Sequence, residues 1–239
     1  MAAFASVLAG GLMAVRLRSR LCYVLGIASG VMLGVVAFEV IPEVFRLVGE
    51  GVSTATVPMA ALLAGFLGFH VVERVFLVHG SHEHHYAEHS HPEMGVASSI
   101  MLVTHSLMDG MAIGMGFQVS DAAGVAAAVA VITHDFCDGM KTASLMLESG
   151  NSVRRSFAML VLAASAPVVG AAVSSLVAIP PRFLLAYLGA FSGSLLYVAG
   201  ADLLPEAHSG SSRGRSAVLV SLTAAGMLLA LLLTRIGGV

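Results

Sequence analysis

The sequence predicts an all-α integral membrane protein: eight transmembrane helices, N- and C-termini outside, in an inverted-repeat-like arrangement around central helices 4 and 5. Three observations carry the prediction. The 239 residues are 57% hydrophobic and 11% charged, with a mean hydropathy of +0.91, whereas a soluble domain carries about 25% charged residues. The apolar runs are continuous over roughly 20 residues, the length that crosses a bilayer as a helix, and they do not alternate as barrel strands do. The arginines sort to alternate loops, as the positive-inside rule asks of a multi-pass chain. A net charge of -2 leaves no footprint for nucleic acid. Two cysteines, Cys22 and Cys137, with no CxxC pair, exclude a disulfide framework.

The spans fall at roughly 2–15, 22–48, 57–78, 94–119, 123–147, 156–178, 183–207 and 216–235. No basic segment precedes the first, which is therefore expected to be a span rather than a cleaved leader. Arg16, Arg18 and Arg20 follow span 1, Arg154 and Arg155 follow span 5, and Arg213 and Arg215 follow span 7. Arg46, Arg182 and Arg235 lie opposite. That distribution places the loops after spans 1, 3, 5 and 7 in the cytoplasm. The loop after span 3, residues 79–93, holds His79, His82, His84, His85, His89 and His91 with three glutamates. Lacking apolar residues to pack, it is expected to be disordered, and its composition suits loose metal binding. The chain then reads as a single transmembrane domain over 1–239 with a His-rich cytoplasmic loop inside it.

Spans 2 and 7 share an acid-x-x-Pro-acid pattern: Glu39-Val-Ile-Pro42-Glu43 and Asp202-Leu-Leu-Pro205-Glu206. A proline inside a helix removes one hydrogen bond and kinks the axis. With the orientation above, span 2 runs outward and span 7 inward. Glu39 and Glu43 then face the outside as an entrance, and Asp202 and Glu206, with His208 two residues on, face the cytoplasm as an exit. Related motifs on oppositely directed helices are what an inverted repeat produces.

Spans 4 and 5 carry the chemistry. His105-Ser-Leu-Met-Asp109-Gly110 is followed 29 residues later by His134-Asp-Phe-Cys-Asp138-Gly139. A histidine and an aspartate at i and i+4 share one helix face, about 6 Å apart along the axis. Each charge at the bilayer centre costs about 2.5–3.5 kcal/mol on insertion scales. Asp109, Asp135 and Asp138 together would therefore cost on the order of 8–10 kcal/mol unless paired, protonated or loaded with a cation. Imidazole with carboxylate suits zinc, and also ferrous iron or manganese. Gly110 with Gly114, and Gly139 with Ala143, have the small-xxx-small spacing that lets helices pack closely in lipid. Cys137 is out of phase with the ligand face and is expected to be a small buried residue.

HSLMDGMAIG, HDFCDG, the two acid-x-x-Pro-acid motifs and the His-rich loop after span 3 together resemble the ZIP (Zrt/Irt-like) metal transporters, prokaryotic type. The resemblance covers essentially the whole chain. It implies uptake of a divalent metal, usually zinc, into the cytoplasm as substrate, in a multi-pass protein of the cell membrane that is often a homodimer and contacts lipid. It places His105 and Asp109, with Ser106 as a weak oxygen donor, on span 4, and His134, Asp135 and Asp138 on span 5. Ser106 stands where the family usually has Asn, and Asp135 and Asp138 stand where it usually has Glu. Some members hold two metals with an acid on span 6, but residues 156–178 contain no ionisable side chain. Lys141, three residues after Asp138, is expected to neutralise a carboxylate of such a second site and leave one core metal.

Two rivals are weaker. An efflux carrier of the cation diffusion type also uses His/Asp pairs at i,i+4, but six spans, cytoplasmic termini and a soluble C-terminal domain would be expected. An intramembrane metallo-hydrolase needs an open metal position and a general base, and the chain has no HExxH. The expectation is a transporter and not an enzyme. Zinc, cadmium, iron and manganese would all accept these donors.

Overall fold

The structure, a computed structural model, describes residues 1–17, 21–83, 92–119, 121–209, 211 and 213–236. The described residues form helices and turns, with no strand among them. The helices are α1 (Ala2–Leu17), α2 (Leu21–Val35), α3 (Ile41–Gly49), α4 (Thr56–Glu83), α5 (Pro92–Val119), α6 (Asp121–Glu148), α7 (Val153–Leu176), α8 (Pro181–Tyr197), α9 (Leu204–His208) and α10 (Arg213–Ile236). Two short π segments, Val36–Val40 and Val198–Leu203, join α2 to α3 and α8 to α9.

Five stretches are long and apolar enough to cross a membrane: Cys22–Gly49, Gly95–Val119, Val153–Leu176, Pro181–His208 and Gly214–Arg235. Ala2–Ala14 and Thr56–Val71 are apolar but shorter. The remaining expected span, α6, has the same 28-residue length as α5 but carries Asp135, Asp138 and Lys141 along it. α4 runs on through His79 and His82 as far as Glu83, so the first turn of the His-rich stretch is helical. His84, His85, His89 and His91 lie outside the described residues, as do the side chains of His79 and His82. Pro92 opens α5, where its missing N–H costs nothing.

The two prolines do more than kink. Before each, the helix widens by one residue. The Ile41 N–H donates to the carbonyl of Val36, and the Leu204 N–H to that of Ala199, both five residues back. Pro42 and Pro205 then stand in the first turn of the new helix, the place a helix tolerates them. Both acid-x-x-Pro-acid motifs therefore build the same joint.

The helices pack as two bundles. In one, α5 lies along α7, α1 along α6, and α5 along α6. In the other, α4 lies along α8 and α2 along α10. The bundles meet mainly where α2 crosses α6. Exchanging α1 with α7, α5 with α6, α2 with α8 and α4 with α10 maps each of these close pairs onto another or onto itself. The close contacts are therefore unchanged by this exchange.

Opposed glycines hold four of these pairs together. A Cβ on Gly110 would come within 3.0 Å of the Pro167 carbonyl, and one on Gly170 within 3.0 Å of the Leu107 carbonyl, so α5 and α7 touch backbone to backbone. Gly139 and Gly10 do the same between α6 and α1, against Val7 and Phe136. Gly30 with Gly226 joins α2 to α10, and Gly65 with Gly189 joins α4 to α8. Gly110 and Gly139, read from their spacing as packing residues, thus serve contacts with α7 and α1 rather than with each other.

Backbone cannot move aside for a methyl group. Gly139→Ala is expected to lower the thermal unfolding midpoint in detergent, at a cost of about 1–3 kcal/mol. Gly68→Ala, on α4 with nothing within 4 Å of its Cβ position, should leave the midpoint unchanged or raise it.

Candidate metal centre

His105 and Asp109 lie one helical turn apart on α5, and His134 and Asp138 one turn apart on α6. Because α5 and α6 are packed neighbours, the two faces meet. One donor atom from each of the four residues falls within 4.8 Å of all the others, and all four residues are buried. His105 Nε2 is 3.2 Å from Asp109 Oδ2 and 3.8 Å from Asp138 Oδ2, and His134 Nε2 is 3.3 Å from Asp109 Oδ2. Ligands about 2.0–2.1 Å from a tetrahedral zinc are separated by about 3.3 Å. The donors already stand near that spacing.

The histidine orientation fits the same purpose. His134 Nδ1–H donates to the Ala130 carbonyl, 2.9 Å away. Nε2 then faces the group, the usual arrangement behind a metal-ligating imidazole, and it lies within hydrogen-bonding distance of Asp109 Oδ2, 3.3 Å away. His105 Nε2 and Asp138 Oδ2 are buried without a hydrogen-bond partner.

The glycine of each motif works from behind. Gly110 follows Asp109 and Gly139 follows Asp138, and these two glycines lie flush on the α7 and α1 backbones. Each ligand-bearing helix is pinned at the residue after its aspartate.

The second bundle supplies the wall. The Phe69 ring of α4 meets His105 edge to face at 4.9 Å between centroids. The Tyr187 hydroxyl of α8 donates to the Met108 carbonyl at 2.5 Å, beside Asp109. Neither residue was singled out from the sequence. An aromatic in an apolar span carries no sign of what it faces, although a buried tyrosine hydroxyl implies a partner.

The other expected site residues are distributed differently. Asp135 is fully buried with both carboxylate oxygens lacking a hydrogen-bond partner, and it is not one of the four donors brought together. Ser106 is buried beside His105, its hydroxyl also without a hydrogen-bond partner. Cys137 packs in the apolar core with Met32, Val131 and Leu195. Glu39 is buried in the first π segment, and its Oε2 has no hydrogen-bond partner. Glu43 is gripped by Arg46, with Nε–Oε2 at 2.7 Å and Nη2–Oε1 at 2.6 Å, and Arg46 also holds Glu50.

At the other motif, the Asp202 side chain lies outside the described residues. Glu206 pairs with Lys141 at 3.5 Å. Lys141 is thus tied to the second acid of the span 7 motif. His208 Nδ1–H donates to the Leu204 carbonyl of its own helix at 2.9 Å.

Residues 99–234, more than half of the chain, match the family model of the ZIP zinc transporters. No curated protein matches the chain. The match takes in both HxxxDG helices and therefore every donor of the buried group. With its span-length apolar helices and the paired His/Asp faces between them, the chain belongs to the ZIP zinc transporter family.

Proposed function

We propose that the protein carries a divalent metal ion, zinc foremost, across the cell membrane into the cytoplasm, binding it at mid-membrane through His105, Asp109, His134 and Asp138. The observation that carries this reading is the convergence of four buried donor atoms within 4.8 Å, in a chain of a metal-transporting family. Imidazole and carboxylate accept zinc, cadmium, manganese and ferrous iron alike. Asp135 and Ser106, each next to a donor histidine, complete the polar lining. Four protein donors fill a tetrahedral ion's coordination, which leaves no position for an activated water as hydrolysis would need. The hydrolase reading loses ground accordingly.

Eight spans with both termini outside account for the arginine distribution and for the exchange symmetry of the helix pairs. Helices exchanged by that symmetry differ by an odd number of spans and so cross in opposite directions, as an inverted repeat requires. The ion would pass Glu39 and Glu43 from outside. It would leave by Asp202, Glu206 and His208 toward the His-rich loop. The site's donors belong to one bundle, and Phe69 and Tyr187, which wall it, belong to the other. Displacing the first bundle against the second would expose the donors to each side in turn. Glycine-to-carbonyl contacts inside each bundle favour such motion as rigid bodies. A homodimer in the lipid bilayer is compatible with this scheme.

Zinc uptake into proteoliposomes by the wild type should fall about tenfold or more in His105→Ala and in Asp138→Ala, since even indirect loss of ligand support costs 10–100-fold in affinity. Equal flux in all three proteins would remove the proposal. Zinc at about a hundred times its dissociation constant should stabilise the folded wild type by about 2.7 kcal/mol. The shift in unfolding midpoint should shrink markedly in Asp109→Asn, whose loop histidines are unchanged. Lowering the pH should weaken binding, because the donors act as neutral imidazole and ionised carboxylate and protons compete for both. Isothermal titration at two pH values in buffers of different ionisation enthalpy would report the proton release.

A further inference from the structure

Lys141 stands where a departing ion would pass. It follows Asp138 by three residues on α6, the same face of the helix about 4.5 Å further along the axis. Its ammonium lies 3.5 Å from Glu206 Oε2 on α9. α6 belongs to the bundle that bears the donors and α9 to the opposite bundle, so the contact crosses between them. The Lys141 side chain is 19% exposed and the Glu206 side chain 41%, so the lysine is largely withdrawn from solvent and the acid is open to it. The counterpart acid of the other motif, Glu43, is held by a cation as well. That cation, Arg46, is three residues on in the same helix and is 48% exposed, so its pairing with Glu43 does not cross between the bundles. Only at the Glu206 end does the donor-bearing helix itself supply the cation.

We propose that Lys141 is a tethered stand-in for the transported metal at Glu206, a residue that sets the release step by competing with the ion for that carboxylate. The inference rests on the transport reading above and on Glu206 lying along the exit. With no ion at Glu206, the ammonium occupies the carboxylate. An ion stepping off Asp138 displaces the ammonium, and the ammonium returns and displaces the ion. A dication between Asp138 and Glu206 would otherwise be held by carboxylates on both bundles at once, and release would be slow. The same positive charge, one turn from Asp138, opposes a second dication beside the first. Lys141 therefore trades affinity at the inner carboxylate for turnover.

The test is zinc uptake kinetics of the full chain in proteoliposomes. Lys141→Gln should lower turnover and KM together, each about threefold, the effect of an ion pair of this exposure. Lys141→Arg should retain wild-type kinetics. Adding Glu206→Gln to Lys141→Gln should restore turnover, because the trap is then gone. Turnover unchanged or raised in Lys141→Gln would overturn the proposal, as would failure of the double variant to recover. Should Lys141→Gln not fold, Lys141→Arg decides alone: turnover lowered there, with the positive charge kept, overturns the proposal. Wild-type uptake that also survives Asp138→Ala would instead overturn the transport reading, and this inference with it.

Discussion

Two carboxylates and two imidazoles meet at one point in an apolar chain, and nearly everything else in the structure follows from keeping them there. No membrane-spanning helix can hold such groups alone, because a charge at the centre of a bilayer is unstable without a partner. Placing the partners on adjacent antiparallel helices solves half of the problem. The other half is rigidity, since donors about 3.3 Å apart tolerate little play. The glycines of the two HxxxDG motifs answer it. Each sets its helix directly on a neighbouring backbone, at the residue after the ligand. The motif is thus a chemical and a mechanical unit: histidine and aspartate point inward, and glycine anchors outward.

The centre also sits on the close pair, α5 with α6, that the exchange of packing partners maps onto itself. Exchange of α5 with α6 carries His105 onto His134 and Asp109 onto Asp138. The surrounding bundles follow the same exchange, down to the reciprocal glycine contacts and the paired π segments. The asymmetry enters through single residues, such as Lys141 at one end and Arg46 at the other.

Much of this was legible in the sequence, for identifiable reasons. The His/Asp pairs were visible because the helical period places i and i+4 on one face, and because ionisable residues are rare enough in these spans to stand out. The proline motifs were visible as a repeat. What they would build was not: a proline announces a lost hydrogen bond, while the choice between a bend and a π turn depends on packing. α6 keeps the length of a span although Asp135, Asp138 and Lys141 lie along it. Phe69 and Tyr187 left no trace, because an aromatic side chain in an apolar run reads as lipid-facing or core until its neighbours are known. The pairing of Lys141 with Glu206 was not legible for a similar reason. Periodicity relates residues on one helix, and Glu206 belongs to another bundle.

The π segments carry a consequence for the arithmetic of the chain. Each adds one residue to a turn, so everything beyond it is rotated by about 100° relative to an uninterrupted α-helix. Glu43 and Glu206 owe their heading to that extra residue. A deletion of a single amino acid at 36–38 or 198–201, inside the π segments and before each motif, would let the helix wind regularly and would keep every side chain of the motif. It would also swing the second acid about a quarter-turn away from its present direction. Along these two stretches, spacing holds information that composition does not, and a one-residue change in length would alter the path more than many substitutions would.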